Sequence, residues 1–171
     1  MGRRNYLIEG VSGSGKTSVC NELHRRGYQA INGDRELAYQ GDPETGLAVA
    51  GSAGLAAHAH HIWRVEQVEA MVADRNEPVT FFCGGSRNVI DLLGLFDEVF
   101  VLTVDLGTLR RRLDERSRDE WAGKGRSDER ALVERLHATG QDTPPGTVID
   151  ATQPLSAVVD QILRRTGLLD R

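Results

Sequence analysis

The run Gly10-Val11-Ser12-Gly13-Ser14-Gly15-Lys16-Thr17 has the residue types needed to hold a polyphosphate. It fits G-x-x-x-x-G-K-[ST], a phosphate-cradling loop. Gly10, Gly13 and Gly15 can adopt φ > 0 without a Cβ penalty, so the backbone N–H groups of the loop can turn inward around an anion. Lys16 supplies a cation for the β- and γ-phosphates, and Thr17 a hydroxyl for Mg²⁺. Ser12, Ser14 and Ser18 complete the expected phosphate-binding set. A helix beginning near Gly15 would aim its positive N-terminal end at the same anion.

A loop that binds a triphosphate is half of a phosphoryl-transfer site. Transfer needs positioning and charge neutralisation more than covalent chemistry, so arginines are expected around the moving group. Residues 110 to 130 contain Arg110, Arg111, Arg112, Arg116, Arg118, Lys124, Arg126 and Arg130. Projected at about 100° per residue, Arg116 lies close to the Leu106, Leu109 and Leu113 stripe, Arg112 falls on its border, and Arg111 points almost opposite. Arg116 is therefore read as catalytic and Arg112 as nucleotide-binding. Arg110, Arg111 and Arg118 read as a solvated face paired with Asp114, Glu115, Asp119 and Glu120.

Asp34 follows the second apolar strand, where a carboxylate can accept a hydroxyl proton or orient Mg²⁺. It can also cap the helix that follows. Arg87 follows the double glycine Gly84-Gly85, and its fork suits a phosphate or carboxylate. Together with Arg35 it favours an anionic acceptor. His58, His60 and His61 have no partner at zinc-site spacing and read as packing or acceptor hydrogen-bonding groups. Trp63 reads as packing, Cys83 as a small buried hydrophobe, and Trp121 as a cover for the site.

These residues need a scaffold that brings them to one edge. Tyr6-Leu7-Ile8 suits a buried parallel strand, and Val19 and Leu23 mark the helix after the loop, closed by Gly27. Tyr28 to Ile31, Val79 to Cys83, Val99 to Val104 and Thr147 to Asp150 read as further strands. Ala56 to Ala73 reads as one helix, with His58, Ile62, Val65, Glu69 and Val72 on one face. A short helix is expected over Val89 to Leu93, one from Ser127, capped by its hydroxyl, to about Ala138, and one over Leu155 to Arg165. Alternating strands and helices predict a three-layer α/β fold, a parallel sheet covered on both faces. Ligands in such sheets bind at the carboxyl ends of the strands, where Asp34, residues 84 to 87, Asp105 and residues 150 to 154 all fall. Residues 35 to 57 are glycine-rich and weakly periodic, and read as an acceptor-binding excursion. Residues 117 to 127, with Gly123 and Gly125, read as a mobile lid.

The 171 residues suit one domain, 1–171. A formal net charge of −4 argues against a nucleic-acid polymer as partner. Cys20 and Cys83 are the only cysteines and make no disulfide framework, which points to the cytoplasm. No signal peptide is expected, because the first strand runs straight into the loop, and no apolar run suggests a membrane span. Nothing in the sequence specifies an oligomeric state.

At this point the chain resembles the P-loop small-molecule kinases of the nucleoside-monophosphate-kinase and shikimate-kinase-like group. Asn32-Gly33-Asp34 is similar to the Thr-Gly-Asp after strand two of adenylate kinases. Cys83-Gly84-Gly85-Ser86-Arg87 resembles their Asp-Gly-x-Pro-Arg, and its double glycine resembles the glycine run of shikimate kinases. Arg112-x-x-x-Arg116 matches the arginine pair that opens the lid, and Arg126-Ser127-Asp128-Glu129 the Arg-x-Asp-Asp that closes it. Asp150-Ala151-Thr152-Gln153-Pro154 is similar to the adenine-facing segment. The resemblance implies sheet order 2-3-1-4-5 and ATP·Mg²⁺ as donor. It implies Thr152, Gln153 and Pro154 at the base, and Arg35, Gly84, Gly85, Arg87 and Arg126 near a small-molecule acceptor. Two positions depart from it: Cys83 replaces an acidic Mg²⁺ partner, and Leu37 stands where adenylate kinases carry arginine.

Two function classes follow. One is a kinase that moves the γ-phosphoryl group of ATP to a nucleotide, nucleoside or shikimate-like hydroxy compound. The other is a nucleotide-switched ATP- or GTP-binding regulator. Asp91-Leu92-Leu93-Gly94 fits D-x-x-G, but it follows a helix instead of ending a strand. No N-K-x-D guanine motif exists, and several in-cis arginines favour the kinase.

Overall fold

A computed structural model describes residues 4–170. In chain order the elements are β1 (Arg4–Glu9), α1 (Lys16–Arg25), β2 (Gln29–Asn32), α2 (Gly33–Glu36), β3 (Ala38–Gln40), α3 (Gly54–Ala59), β4 (His61–Trp63) and α4 (Val65–Ala73). They continue with β5 (Val79–Cys83), α5 (Val89–Leu92) and a 3₁₀ turn, β6 (Glu98–Thr103), α6 (Leu106–Asp114), α7 (Ser127–Thr139), β7 (Thr147–Asp150) and α8 (Leu155–Arg165).

Five strands form a parallel sheet of order β2-β5-β1-β6-β7. Counting only these strands along the chain gives the expected 2-3-1-4-5. Alternation along β1 explains the three layers. Tyr6 and Ile8 pack with Val19, Leu23, Leu109, Val159 and Ile162 of the helices on one face. Leu7 packs with Trp63, Val68, Phe82 and Leu92 on the other. Phe81 and Phe82 divide between the two cores in the same way. With both faces covered, β1 and β5 have no solvent side, so their sequences are apolar runs. Among the described residues no helix is long and apolar enough to cross a membrane.

The helix expected over Ala56 to Ala73 does not form as one piece. It breaks into α3, β4 and α4, and β4 pairs antiparallel with β3 through Ala38–Trp63, Tyr39–Ile62 and Gln40–His61. Packing outweighs local periodicity here. Ile62 and Trp63 are fully buried, and a Cβ on Gly33 would overlap the Trp63 indole at 2.0 Å. Asn88 clamps the strand from the other side. Its Oδ1 accepts from Trp63 N at 3.1 Å and its Nδ2 donates to Trp63 O at 3.0 Å. The expected Ser127 cap is also absent: Ser127 is the first residue of α7, and no side chain caps that helix.

Candidate active site

The β1–α1 loop turns with Gly13 at φ 89° and Gly15 at φ 106°, values a side chain would penalise. A Cβ on Gly13 would stand 2.8 Å from Leu109 Cδ1. Lys16 Nζ folds back to donate to the carbonyls of Gly10 and Val11. Arg112 ties the loop to two other elements: Nη1 donates to Gly13 O (3.2 Å) and Ser14 O (3.0 Å), and Nη2 to Ala151 O (2.8 Å). Arg116 Nη1 donates to Ser12 Oγ at 2.9 Å and to Trp121 O at 2.8 Å. The stripe position read for Arg116 is thus realised at the loop.

These groups border a cavity of about 410 Å³ that also takes in Gly13, Ser14, Gly15, Thr17, Ser18 and Gln153. Thr152 and Pro154 do not line it. Thr152 turns its N–H and hydroxyl to Asp150 Oδ1, at 3.0 and 2.6 Å, and Pro154 flanks the start of α8. Asp105 is likewise committed, capping α6 through Thr108 N at 2.7 Å. Of the carboxylates expected at the strand ends, Asp34 alone lines a cavity.

A second cavity of about 550 Å³ opens on the other side of the loop. Its walls include Asp34, Arg35, Gln40, His58, His61, Gly85, Arg87, Trp121 and Asp142. His61, delivered by β4, donates Nε2–H to Asp34 Oδ1 at 3.0 Å, and Gly85 N lies 3.4 Å from the same oxygen. Burial alone would raise the Asp34 pKa. The His61 bond and the Lys16 charge outweigh it and hold the carboxyl below its usual range, so Asp34 is ionised at neutral pH. Arg87 Nη1 sits 2.6 Å from Asp142 Oδ2, an ion pair without hydrogen-bond alignment. His58 stacks on Trp121, with ring centroids 5.7 Å apart and planes at 16°. Burial, reinforced by the Arg87 charge, pushes its pKa down to about 4.

The two cavities share Ser12, Lys16, Asp34 and Arg116. Most of the residues expected at the site from the sequence therefore surround one junction. Arg126 does not reach it: its guanidinium donates to Arg118 O at 2.7 Å and pairs with the buried Glu129 at 3.1 Å. Gly84 lines neither cavity, although a Cβ on it would meet Asp34 Oδ1 at 2.8 Å. Trp121 lines the second cavity, where its indole stacks on His58. Gly123 is a packing glycine in this arrangement, since its Cβ would stand 1.8 Å from Ser117 O.

Glu9, Gln40 and Asp142 are polar lining residues that escaped the sequence reading. Glu9 ends β1 and is 3 % exposed, with Oε1 accepting from Gly10 N at 2.9 Å. Burial pushes its carboxyl up to about 7 despite Lys16, the Gly10 N–H and Arg87. A carboxylate closing an apolar strand was the available signal. Gln40 arrives through the β3–β4 pair, and Asp142 follows α7 at φ 65°. A non-glycine residue at positive φ often marks a functional loop, but φ is invisible in a sequence.

Among the described residues no cluster of three or more His, Cys, Asp or Glu side chains forms a metal site. Thr17 and Asp34 both line the loop-side cavity, and such hard oxygen donors suit Mg²⁺ held partly by phosphates.

No family model matches the chain, and no curated protein matches it. Solved structures do. Shikimate kinase from Bacteroides thetaiotaomicron superposes with a TM-score of 0.62 at 15% identity, covering 96% of this chain and 99% of that one. Deoxyadenosine kinase from M. mycoides with bound dATP gives 0.56 at 17%, covering 96% and 100%. A gluconokinase from Sinorhizobium meliloti 1021 gives 0.51 at 17%, covering 98% of both chains. At this identity the likeness is one of architecture: the chain shares the α/β fold of these kinases, a five-stranded parallel sheet between helices.

Proposed function

We propose that this protein is an ATP-dependent kinase that transfers the γ-phosphoryl group to a hydroxyl of a small molecule. The observation that carries the reading is the junction: two cavities meet where Lys16, Arg116, Ser12 and Asp34 stand. The loop-side cavity takes the nucleotide, with Arg112 and Gln153 on its wall. ATP is preferred over GTP, because the chain lacks a guanine motif. Thr17 would hold Mg²⁺, with Asp34 orienting it through water, and the ion would supply charge neutralisation on the β- and γ-phosphates.

The acceptor enters the second cavity. Its O–H bond breaks, with the proton passing to the Asp34 carboxylate, which His61 holds in place. The acceptor oxygen forms a bond to the γ-phosphorus as the bond to the β-phosphate oxygen breaks, and ADP leaves. Lys16 and Arg116 stabilise the charge on the equatorial oxygens. A hydroxyl acceptor fits better than a phosphate acceptor, because Asp142 already neutralises the Arg87 charge that an anionic acceptor would need. That narrows the anionic acceptor expected from Arg87 and Arg35 to one whose reacting group is a hydroxyl, hydroxy carboxylates included.

A coupled ADP-release assay across alcohols, including shikimate, gluconate and nucleosides, with nucleoside monophosphates as contrast, tests the reading. Acceptor-dependent ADP release with an alcohol is the expected result. Release only with monophosphates, or none with any acceptor, contradicts it.

A further inference from the structure

Gly84-Gly85 stands beside two carboxylates, and only one of them has a role in the transfer described above. A Cβ on Gly84 would lie 2.8 Å from Asp34 Oδ1, and a Cβ on Gly85 would lie 2.7 Å from Glu9 Oε1. Adjacent Cα atoms are about 3.8 Å apart, so the double glycine makes room for two neighbouring carboxyl groups at the end of β5. Parallel register sets this up. Ile8 pairs with Cys83, so Glu9 is carried one step further, alongside Gly84.

Asp34 is hydrogen-bonded by His61. Glu9 is satisfied on one oxygen only. Its Oε2 is buried and has no partner, although the residue lines the acceptor-side cavity. It is not isolated in this respect. Six side chains among the described residues have a buried polar atom without a hydrogen-bond partner, and four of them, Glu9, Gln40, His58 and the Asp142-paired Arg87, line this one cavity. Burying an unpaired polar atom is costly, and clustering such atoms on one concave wall is what a site looks like when its ligand supplies the missing partners.

We propose that Glu9 is an acceptor-binding residue: its Oε2 receives a hydrogen bond from one hydroxyl of the acceptor while Asp34 receives the neighbouring, reacting hydroxyl. The acceptor is therefore a compound with vicinal hydroxyls, and Gly84-Gly85 is the space that lets both carboxylates reach it. This inference rests on the kinase reading above.

The test is a titration of Trp121 fluorescence, together with steady-state kinetics, using D-gluconate, shikimate and adenosine, with 2′-deoxyadenosine as the probe lacking a vicinal pair. At least one vicinal-hydroxyl probe should bind and be phosphorylated by the parent. Glu9→Gln keeps an oxygen for Gly10 N but presents an amide where the acceptor hydroxyl points. It should raise the acceptor KM about tenfold or more, with kcat changed less and ATP affinity unchanged. Gly85→Ala pushes the Glu9 carboxyl aside and should reproduce the effect, which keeps the test decisive if Glu9→Gln folds poorly. An unchanged acceptor KM in both variants, an equal loss of ATP affinity, or turnover of 2′-deoxyadenosine alone overturns the inference and leaves the kinase reading standing. Failure of every acceptor in this set and in the ADP-release panel overturns both.

Discussion

The donor and acceptor halves of the site commit their polar groups in opposite ways. On the donor side, Lys16, Arg112 and Arg116 bond directly to the loop or its neighbours, and Ser14 Oγ is left unpaired. On the acceptor side, four side chains hold buried atoms with no partner. On the kinase reading proposed above, the donor loop is thus preformed for a triphosphate, whereas the acceptor cavity is complete only with a ligand of matching hydrogen-bond pattern. A site of the second kind discriminates strongly, because a wrong ligand leaves its groups unpaired.

The largest expected effect breaks the donor half alone. Lys16→Ala should cut turnover by at least about 10³-fold, since it removes a cation from the transferring group. Lys16 is only partly buried, so thermal melting should move by no more than a few degrees. Wild-type turnover in a folded Lys16→Ala protein would contradict the assignment. Asp34→Asn breaks the junction from the acceptor side. It should lower kcat by about 10²- to 10⁴-fold through loss of the proton acceptor, with ATP binding retained. Calorimetry of ATP binding beside ADP-release kinetics separates the two, and a variant impaired only in ATP binding would move Asp34 to the donor half.

The same contrast decides what the sequence could disclose. The proposed donor half is contiguous: residues 10 to 17 form one loop between β1 and α1, so its outline could be read directly from the sequence. Arg116 was legible because helical projection sets it near the apolar stripe. The acceptor half is assembled from β1, the β3–β4 pair, β5 and the loop after α7. His61 reaches Asp34 only because residues 61 to 63 pair as a strand, and the apolar spacing of Ala56 to Ala73 mimicked a single helix. Glu9 and Asp142 depend on register and on a left-handed turn, neither of which local pattern reports. Arg126, assigned through resemblance, is held instead by Glu129.

Acidity sharpens the comparison further. Burial pushes the Glu9 carboxyl from its ordinary 4.5 up to about 7 in the fold. Between those values the folded chain keeps a proton that the unfolded chain has lost. Its contribution to stability is therefore full below about pH 4.5 and lost as pH rises through about 7. His58 acts in the opposite sense: its pKa falls from 6.5 to about 4, so stability from this group grows as pH rises across that interval. Urea unfolding of the parent and Glu9→Gln at pH 5 and pH 8 isolates the first effect. The difference between them should shift towards the variant by about 2–3 kcal/mol on going to pH 8. A difference independent of pH would mean that Glu9 is ionised throughout.

The smallest expected effect concerns the roof of the acceptor cavity. Trp121→Ala removes the stack on His58, worth about 0.5–1.5 kcal/mol beyond its area. The acceptor KM should rise several-fold while the KM for ATP stays within twofold. Equal changes in both would place Trp121 over the junction instead of the acceptor.

The central claim is that the two cavities meet at a point of transfer. ³¹P NMR of a reaction containing the protein, ATP, Mg²⁺ and the acceptor selected by ADP release tests it most directly. The account predicts a new phosphomonoester resonance that grows in step with ADP and is absent with Lys16→Ala and Asp34→Asn. Growth of inorganic phosphate alone, with no ester at any acceptor concentration, would show that the γ-phosphoryl group goes to water and that the junction is not a transfer site.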